Sequence, residues 1–154
     1  INLDLLVEEV TSLYVERARK SEILIKLDLQ AGEPIFVWDS LMRQVVANLI
    51  SNAIDSLDLI TRNNKVICIK SEMVDKKCYR FSVTDNGFGV KPEYADKLFG
   101  LFVSSKSSGT GVGLWLSSHI IERHQGSLSY QNLPDNGGVS FIVTIPIGAK
   151  LDLG

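Results

Sequence analysis

Apolar residues at Leu3, Leu6, Val7, Val10, Leu13 and Tyr14 recur every three or four positions, with polar residues between them. That period predicts an amphipathic helix over residues 3–20. The rhythm then shortens. Ile23 to Leu29 reads as a strand, Ala31 to Pro34 as a turn, and Ile35 to Trp38 as a second, short strand. Asp39 has the chemistry of a helix N-cap. The helix it opens is expected to run to about Ile60, with Leu41, Val45, Leu49, Ala53 and Leu57 on its apolar side. Thr61 to Asn64 is a loop. Val66–Ser71 and Tyr79–Thr84 read as a hairpin joined through Asp75-Lys-Lys77. Lys91-Pro-Glu93 opens a short helix through Leu98, residues 100–110 form a serine- and glycine-rich loop, and a helix runs from about Val112 to His124. Two last strands, Ser127–Gln131 and Val139–Ile145, flank the turn Pro134–Gly138.

The strands come in pairs that look antiparallel, and they do not alternate one by one with helices. The prediction is an α+β fold: a two-layer α/β sandwich whose mixed, mostly antiparallel sheet is backed by three helices. Neither a repeat nor a linker interrupts the pattern, so residues 1–154 are expected to form one domain.

Composition narrows the function classes. A formal net charge of -2, with no long basic block, argues against nucleic acid as a partner. No apolar run is long enough to span a membrane and no signal peptide is visible. The sequence starts at Ile1, not Met, which suggests a piece of something longer, with room outside it for any membrane anchor or sensor module. Cys68 and Cys78 lack metal-ligand spacing, which favours a reduced, cytoplasmic setting over a disulfide.

Three strings carry the chemistry. Gly109-Thr-Gly111-Val-Gly113-Leu114 precedes a helix. Closely spaced glycines let backbone N–H groups approach a phosphate, and a helix N-terminus adds free donors and a positive dipole end. Lys106 stands just before as a cation on a long stem. A plain flexible loop accounts for the same string equally well. It is not a P-loop, because no Gly-Lys-Ser/Thr follows at the required spacing. Nor does it fit the dinucleotide fingerprint, whose third glycine comes later and whose first follows a strand.

Asn48 and Asn52, four residues apart, share one helix face, with Ser51 and Asp55 nearby. Amide oxygens are neutral hard ligands suited to Mg²⁺ that also holds phosphate and water. The bland alternative is a solvated helix face. Asp85 ends a strand before Asn86-Gly87-Phe88-Gly89. Its carboxylate can accept a hydrogen bond from an exocyclic amine such as that of adenine, with Gly87 and Gly89 making room for a flat ring. An ordinary Asp-Asn-Gly turn is the structural reading of the same residues.

In combination these strings resemble the ATP-binding catalytic domain of sensor histidine kinases, in the superfamily shared with gyrase B, heat-shock chaperones and mismatch-repair ATPases. Gln44 to Ala53 is similar to the asparagine box, Asp85 to Val90 to the first glycine box, Leu98 to Phe102 to the phenylalanine box, and Gly109 to Leu114 to the second glycine box. His124-Gln-Gly126 and Phe141 to Pro146 also fit, although Ser127 stands where a second glycine is frequent. The resemblance covers essentially the whole chain.

The resemblance implies bound ATP and Mg²⁺, with Asn52 as the metal ligand and Asn48 assisting. Asp85 would hold the adenine amine, and Gly87, Gly89 and Val90 would line the base. Phe99 and Phe102 would anchor the lid over residues 100–110. Lys106, Thr110, Gly111, Val112, Gly113 and Leu114 would face the phosphates, and Thr144 would hydrogen-bond near the base through water. Hydrolytic relatives carry a glutamate where this chain has Asn48, and an amide cannot act as a general base. The implied reaction is phosphoryl transfer to a histidine on a dimerisation domain outside this chain, with a response regulator downstream. His119 and His124 read as a helix-face and a helix-end residue, the latter favoured by the helix dipole. The resemblance implies a homodimer for the whole kinase, with an inner-membrane anchor as one option, and a monomer for this piece. The short lid is similar to that of the nitrogen-regulatory and oxygen-sensing subgroup. Two other readings stay open: a serine kinase of the anti-sigma-factor type, and an ATP-binding regulatory module without catalysis.

Overall fold

The computed structural model describes residues 1–32, 34–95, 98–99 and 113–148. The loop expected over 100–110, with Phe102, Lys106 and Thr110, and the adjoining Gly111 and Val112, lies outside them. In chain order the elements are α1 (Leu3–Ser12), α2 (Val15–Lys20), β1 (Ile23–Leu29), α3 (Asp39–Asp58), β2 (Lys65–Val74), β3 (Cys78–Asp85), α4 (Gly113–Arg123), β4 (Ser127–Asn132) and β5 (Val139–Pro146). Single 3₁₀ turns occupy Pro92–Tyr94 and Pro134–Asn136.

The five strands form one sheet in the order β1-β2-β3-β5-β4. Expected and observed pairing differ at the first strand. β1 runs parallel to β2, and the other three pairings are antiparallel. The 20-residue α3 explains this, because a long crossover returns the chain to the end from which β1 started. The expected strand Ile35–Trp38 does not join the sheet. Its stretch makes one isolated bridge, between Asn2 and Pro34. Proline offers no N–H to a ladder, and the Trp38 N–H goes instead to the His124 ring.

The helix expected over 3–20 is two helices. Thr11 and Ser12 return their hydroxyls to the carbonyls of Val7 and Glu9, at 2.7 and 2.6 Å. The N–H groups of Leu13 and Tyr14 then close on residues three back, a tightened ending that redirects the chain. Asp39 is the first helical residue of α3, and Trp38 occupies the cap position with no side-chain cap bond. The Asp39 carboxylate instead accepts from Arg43 Nε at 2.7 Å, one turn ahead. Among the described residues, the short helix expected from Lys91 through Leu98 shows a 3₁₀ turn at Pro92–Tyr94.

One sheet face packs against α3, which is flanked by α1 and α4. Strict alternation makes this face. Tyr79, Phe81 and Val83 on β3, and Val139, Phe141, Val143 and Ile145 on β5, are buried, while their neighbours are half-buried. The apolar stripe of α3 is wider than the sequence spacing suggested. Met42, Val46, Ile50 and Ile54 are buried along with Val45, Leu49, Ala53 and Leu57, and Leu41 is only partly covered. A helix wedged between a sheet and two other helices is covered on more than one side. Cys68 and Cys78 are both free. Cys68 lies opposite Thr84 and Cys78 opposite Val74, so roughly 20 Å of strand separates them, far beyond disulfide reach.

Candidate nucleotide site

The site is built at the end of β3. Alternation along this strand turns Asp85 toward the helices, where it is 2% exposed. A carboxylate so deep must be held by donors, and its Oδ1 accepts the Gly87 N–H at 2.9 Å, which folds the chain into a tight turn. A Cβ on Gly87 would come 3.0 Å from that same oxygen and 3.6 Å from Leu57 of α3. Gly89 has φ +83°, which a side chain rarely tolerates. Val90 is half-buried against the core beyond it.

Neighbouring segments grip this turn from both sides. Asn86 Oδ1 accepts the Val66 N–H at 2.9 Å and its Nδ2 donates to the Asn64 carbonyl at 2.7 Å, tying the turn to the loop after α3. The Arg62 guanidinium donates to the Asn86 carbonyl from that same loop. On the other side, Asn132 Oδ1 accepts the Val90 N–H at 2.8 Å while its Nδ2 donates to the Val90 carbonyl at 3.1 Å. Gly138, at φ +118°, brings β5 so close that a Cβ there would lie 1.9 Å from the Asp85 carbonyl oxygen. The sequence pattern did not point to Asn132, Gly138, Asn86 or Arg62. The Asp-Asn-Gly-Gly turn before β5 was the one available signal, because it marks a place where backbone conformation is special.

Across from this turn, α3 presents Asn48 toward α4. Asn48 Nδ2 donates to Ser117 Oγ at 3.2 Å and to the Gly113 carbonyl at 3.4 Å. A carbonyl only accepts, so the amide nitrogen must face α4. Ser117 is fully buried, and a Cβ on Gly113 would stand 3.8 Å from the Asn48 amide carbon. Leu114 and Phe99 are half-buried against the core. Phe99 meets Tyr130 and Phe141 at ring distances of 6.3 and 6.4 Å, which seats the segment before the described gap on β4 and β5. Asn52 lies one turn beyond Asn48 on α3, half-buried. Asp55 has a protein partner: Arg17 of α2 pairs with its carboxylate and donates to Ser51 Oγ at 3.1 Å.

Thr144 does not join this group. It lies opposite Arg80 on the face of the sheet away from the helices, and Arg80 Nε donates to its hydroxyl at 3.4 Å. Asp85 pairs with Val139, five residues earlier on β5, and faces the helices. Parity and distance along the strand separate the two.

His124 also departs from expectation. It is fully buried just past α4, with Nδ1 2.8 Å from the Ile120 carbonyl and Nε2 3.0 Å from the Trp38 N–H. An N–H can only donate, so Nε2 is the acceptor and Nδ1 the donor, a neutral imidazole and not a cation on the helix dipole. The His124 and Trp38 rings meet edge to face at 5.2 Å, and Arg123 lies over Trp38 at 5.0 Å. His119 is exposed and stacks on Trp115 at 5.4 Å. Among the described residues no cluster of histidine, cysteine or carboxylate side chains could hold a metal unaided.

The family model described as histidine kinase-, DNA gyrase B-, and HSP90-like ATPase matches residues 39–149. The chain is similar to the sensory histidine kinase/phosphatase NtrB of Vibrio alginolyticus, at 32% identity over 95% of this chain and 43% of that protein. It therefore spans under half of that relative's length. Among solved structures, the nucleotide-free catalytic domain of the histidine kinase ThkA superposes with a TM-score of 0.82 at 32% identity. That match covers 96% of this chain and 95% of the other. ThkA in complex with the response regulator TrrA superposes with a TM-score of 0.79 at 30% identity, over 96% of this chain and 41% of the other.

Proposed function

The chain belongs to the histidine kinase-, DNA gyrase B-, and HSP90-like ATPase family, and on that premise we propose that it is the ATP-binding, phosphoryl-donating part of a sensor histidine kinase. The observation that carries this reading is the buried Asp85. Its carboxylate sits at the end of β3 and accepts the Gly87 N–H in a tight glycine turn, and in the family resemblance a carboxylate at this place would also take the exocyclic amine of adenine.

The phosphate end fits the same reading. Gly113 opens the 11-residue α4, whose first N–H groups and dipole favour anions. Asn52 and the Oδ1 of Asn48 would hold Mg²⁺ together with phosphate oxygens and water, as suits a cation that keeps part of its hydration. The ion would neutralise charge on the triphosphate. The chain's own work is positioning, which is most of what phosphoryl transfer requires. Asn48, bonded to α4 through its amide nitrogen, has no basic atom to activate water, and this favours transfer over hydrolysis.

The acceptor histidine would lie on a dimerisation domain. Its ring nitrogen attacks the γ-phosphorus, the bond to the bridging oxygen breaks, and ADP leaves. His124, buried with both nitrogens engaged, and His119, stacked on Trp115, are poor candidates for that role. The phosphoryl group would pass next to a response regulator, and the complex formed by ThkA supports a partner of that kind. A cytoplasmic setting follows from the use of ATP.

Isothermal calorimetry with Mg-ATP tests the first half, and absence of heat at millimolar nucleotide overturns it. Adding a purified dimerisation hairpin in trans tests the second. Acid-labile phosphohistidine is the expected product, and acid-stable phosphoserine would shift the reading to a serine kinase.

A further inference from the structure

Asn132, Val139, Asp85 and Ile67 stand in one transverse row across β4, β5, β3 and β2. Residues paired directly across a sheet point to the same face, so Asn132 and Asp85 flank Val139 on the helix side. Two strand spacings, about 10 Å, separate their backbones. The segment Asn86–Val90 leaves β3 at Asp85 and reaches Asn132, which takes both polar groups of the Val90 backbone. Gly89 is squeezed at that far end, where a Cβ would lie 2.7 Å from Asn132 Oδ1 and 3.1 Å from the Gly138 carbonyl oxygen. Asn132 is itself fixed. It is the last residue of β4, and the turn behind it is closed by the Leu133 N–H donating to the Gly138 carbonyl at 2.8 Å.

We propose that Asn132 is the positioning residue that sets the span of the base slot, with Asp85 reading the base at one end and Asn132 holding the opposite wall in place through Val90. The inference rests on the adenine-binding reading of the site and names a determinant of its specificity. Only asparagine suits the position. Its amide offers one donor and one acceptor at the separation of a backbone N–H and C=O, so it substitutes for the ladder that β4 and the Val90 segment cannot form. Glutamine is one methylene too long for the same approach. Aspartate keeps the acceptor for the Val90 N–H but sets a second negative oxygen against the Val90 carbonyl.

The test measures ATP and GTP affinity by calorimetry, with Mg²⁺, for the wild type, Asn132→Ala and Asn132→Asp, and amide hydrogen exchange at Val90. In Asn132→Ala, ATP affinity falls about tenfold, which is about 1.4 kcal/mol, and the preference for ATP over GTP narrows about tenfold as the slot loosens. Val90 exchange accelerates while the thermal midpoint stays within about 3 °C. Asn132→Asp falls between the two, and it replaces the alanine variant should that one unfold. A folded Asn132→Ala with unchanged affinity and unchanged base preference overturns the proposal and leaves the reading of the site intact. A wild-type domain that binds neither nucleotide overturns that reading, and the proposal with it.

Discussion

Two polar clusters lie at opposite ends of β3 on the same face of the sheet, and they are built by opposite means. At the Tyr79 end two side chains, Asp4 and Ser71, gather the donors. Asp4 of α1 accepts from the Tyr79 hydroxyl at 2.6 Å, the Ser71 hydroxyl at 2.7 Å and the Gly32 N–H at 2.9 Å. Ser71 in turn accepts the N–H groups of Gln30 and Ala31. At the Asp85 end the neighbours are glycines: Gly87 lies against the Asp85 side chain, and backbone approaches backbone at Gly138. A buried aspartate contact is therefore not in itself a mark of a site. The Asp4 cluster fastens α1 to the sheet and fills its own space. The Asp85 cluster removes side chains so that the chain can close tightly around a carboxylate, which costs conformational entropy on folding.

The sharpest way to break that contrast is to put a Cβ where the backbone meets itself. Gly138→Ala adds both a 1.9 Å clash with the Asp85 carbonyl and a φ of +118° that alanine tolerates poorly. A loss of about 3 kcal/mol or more is expected, seen as a fall of close to 10 °C in the thermal midpoint, with ATP binding lost as well.

Asp85→Asn removes the charge and keeps the shape. ATP affinity should fall about 100-fold, in keeping with roughly 1.5–3 kcal/mol for a hydrogen bond to a charged group, with a smaller change in melting. Unchanged affinity by calorimetry would sink the assigned role. Asp4→Ala is the mirror experiment. It leaves the Tyr79 and Ser71 hydroxyls short of a partner and should cost about 2 kcal/mol of stability, while ATP affinity of the folded protein stays within about twofold. If nucleotide affinity instead collapsed with Asp4, the two clusters would not be separate.

The smallest effect is a pH dependence. Burial, and then the hydrogen bond to Asp4, holds the Tyr79 hydroxyl well above the ordinary tyrosine range. The folded state thus favours the neutral phenol. Its contribution is fully present below about pH 10, the unfolded value, and is lost as pH rises above it. Thermal midpoints of the wild type should drop between about pH 9 and 11, and those of Tyr79→Phe should drop less over the same range.

Much of the fold could be read from the chain. Two-residue alternation marked β3 and β5, the three-and-four spacing marked α3 and α4, and the glycine strings marked where backbone must approach something. Those signals are local, and each reflects the geometry of a single element. Several of the errors concerned which partner a group finds. Ile35–Trp38 has strand composition, but its Trp38 N–H meets a histidine 86 residues away. Thr144 has a plausible hydroxyl, but the strand's parity turns it to the other face. His124 has the position of a dipole-stabilised cation, yet Trp38 folds over it and makes it an acceptor.

By itself, then, the sequence determined the main helices and strands, their amphipathic faces, and the order of boxes that carries the family resemblance. It did so because propensity and periodicity act over a few neighbouring residues. Only the tertiary structure decided that β1 runs parallel to β2, that Asn48 turns its amide nitrogen to α4, and that Asn132 stands in the same row as Asp85. Such pairings depend on how β3, β4 and β5 come together across a sheet, and no local pattern encodes a hydrogen bond between residues 42 positions apart.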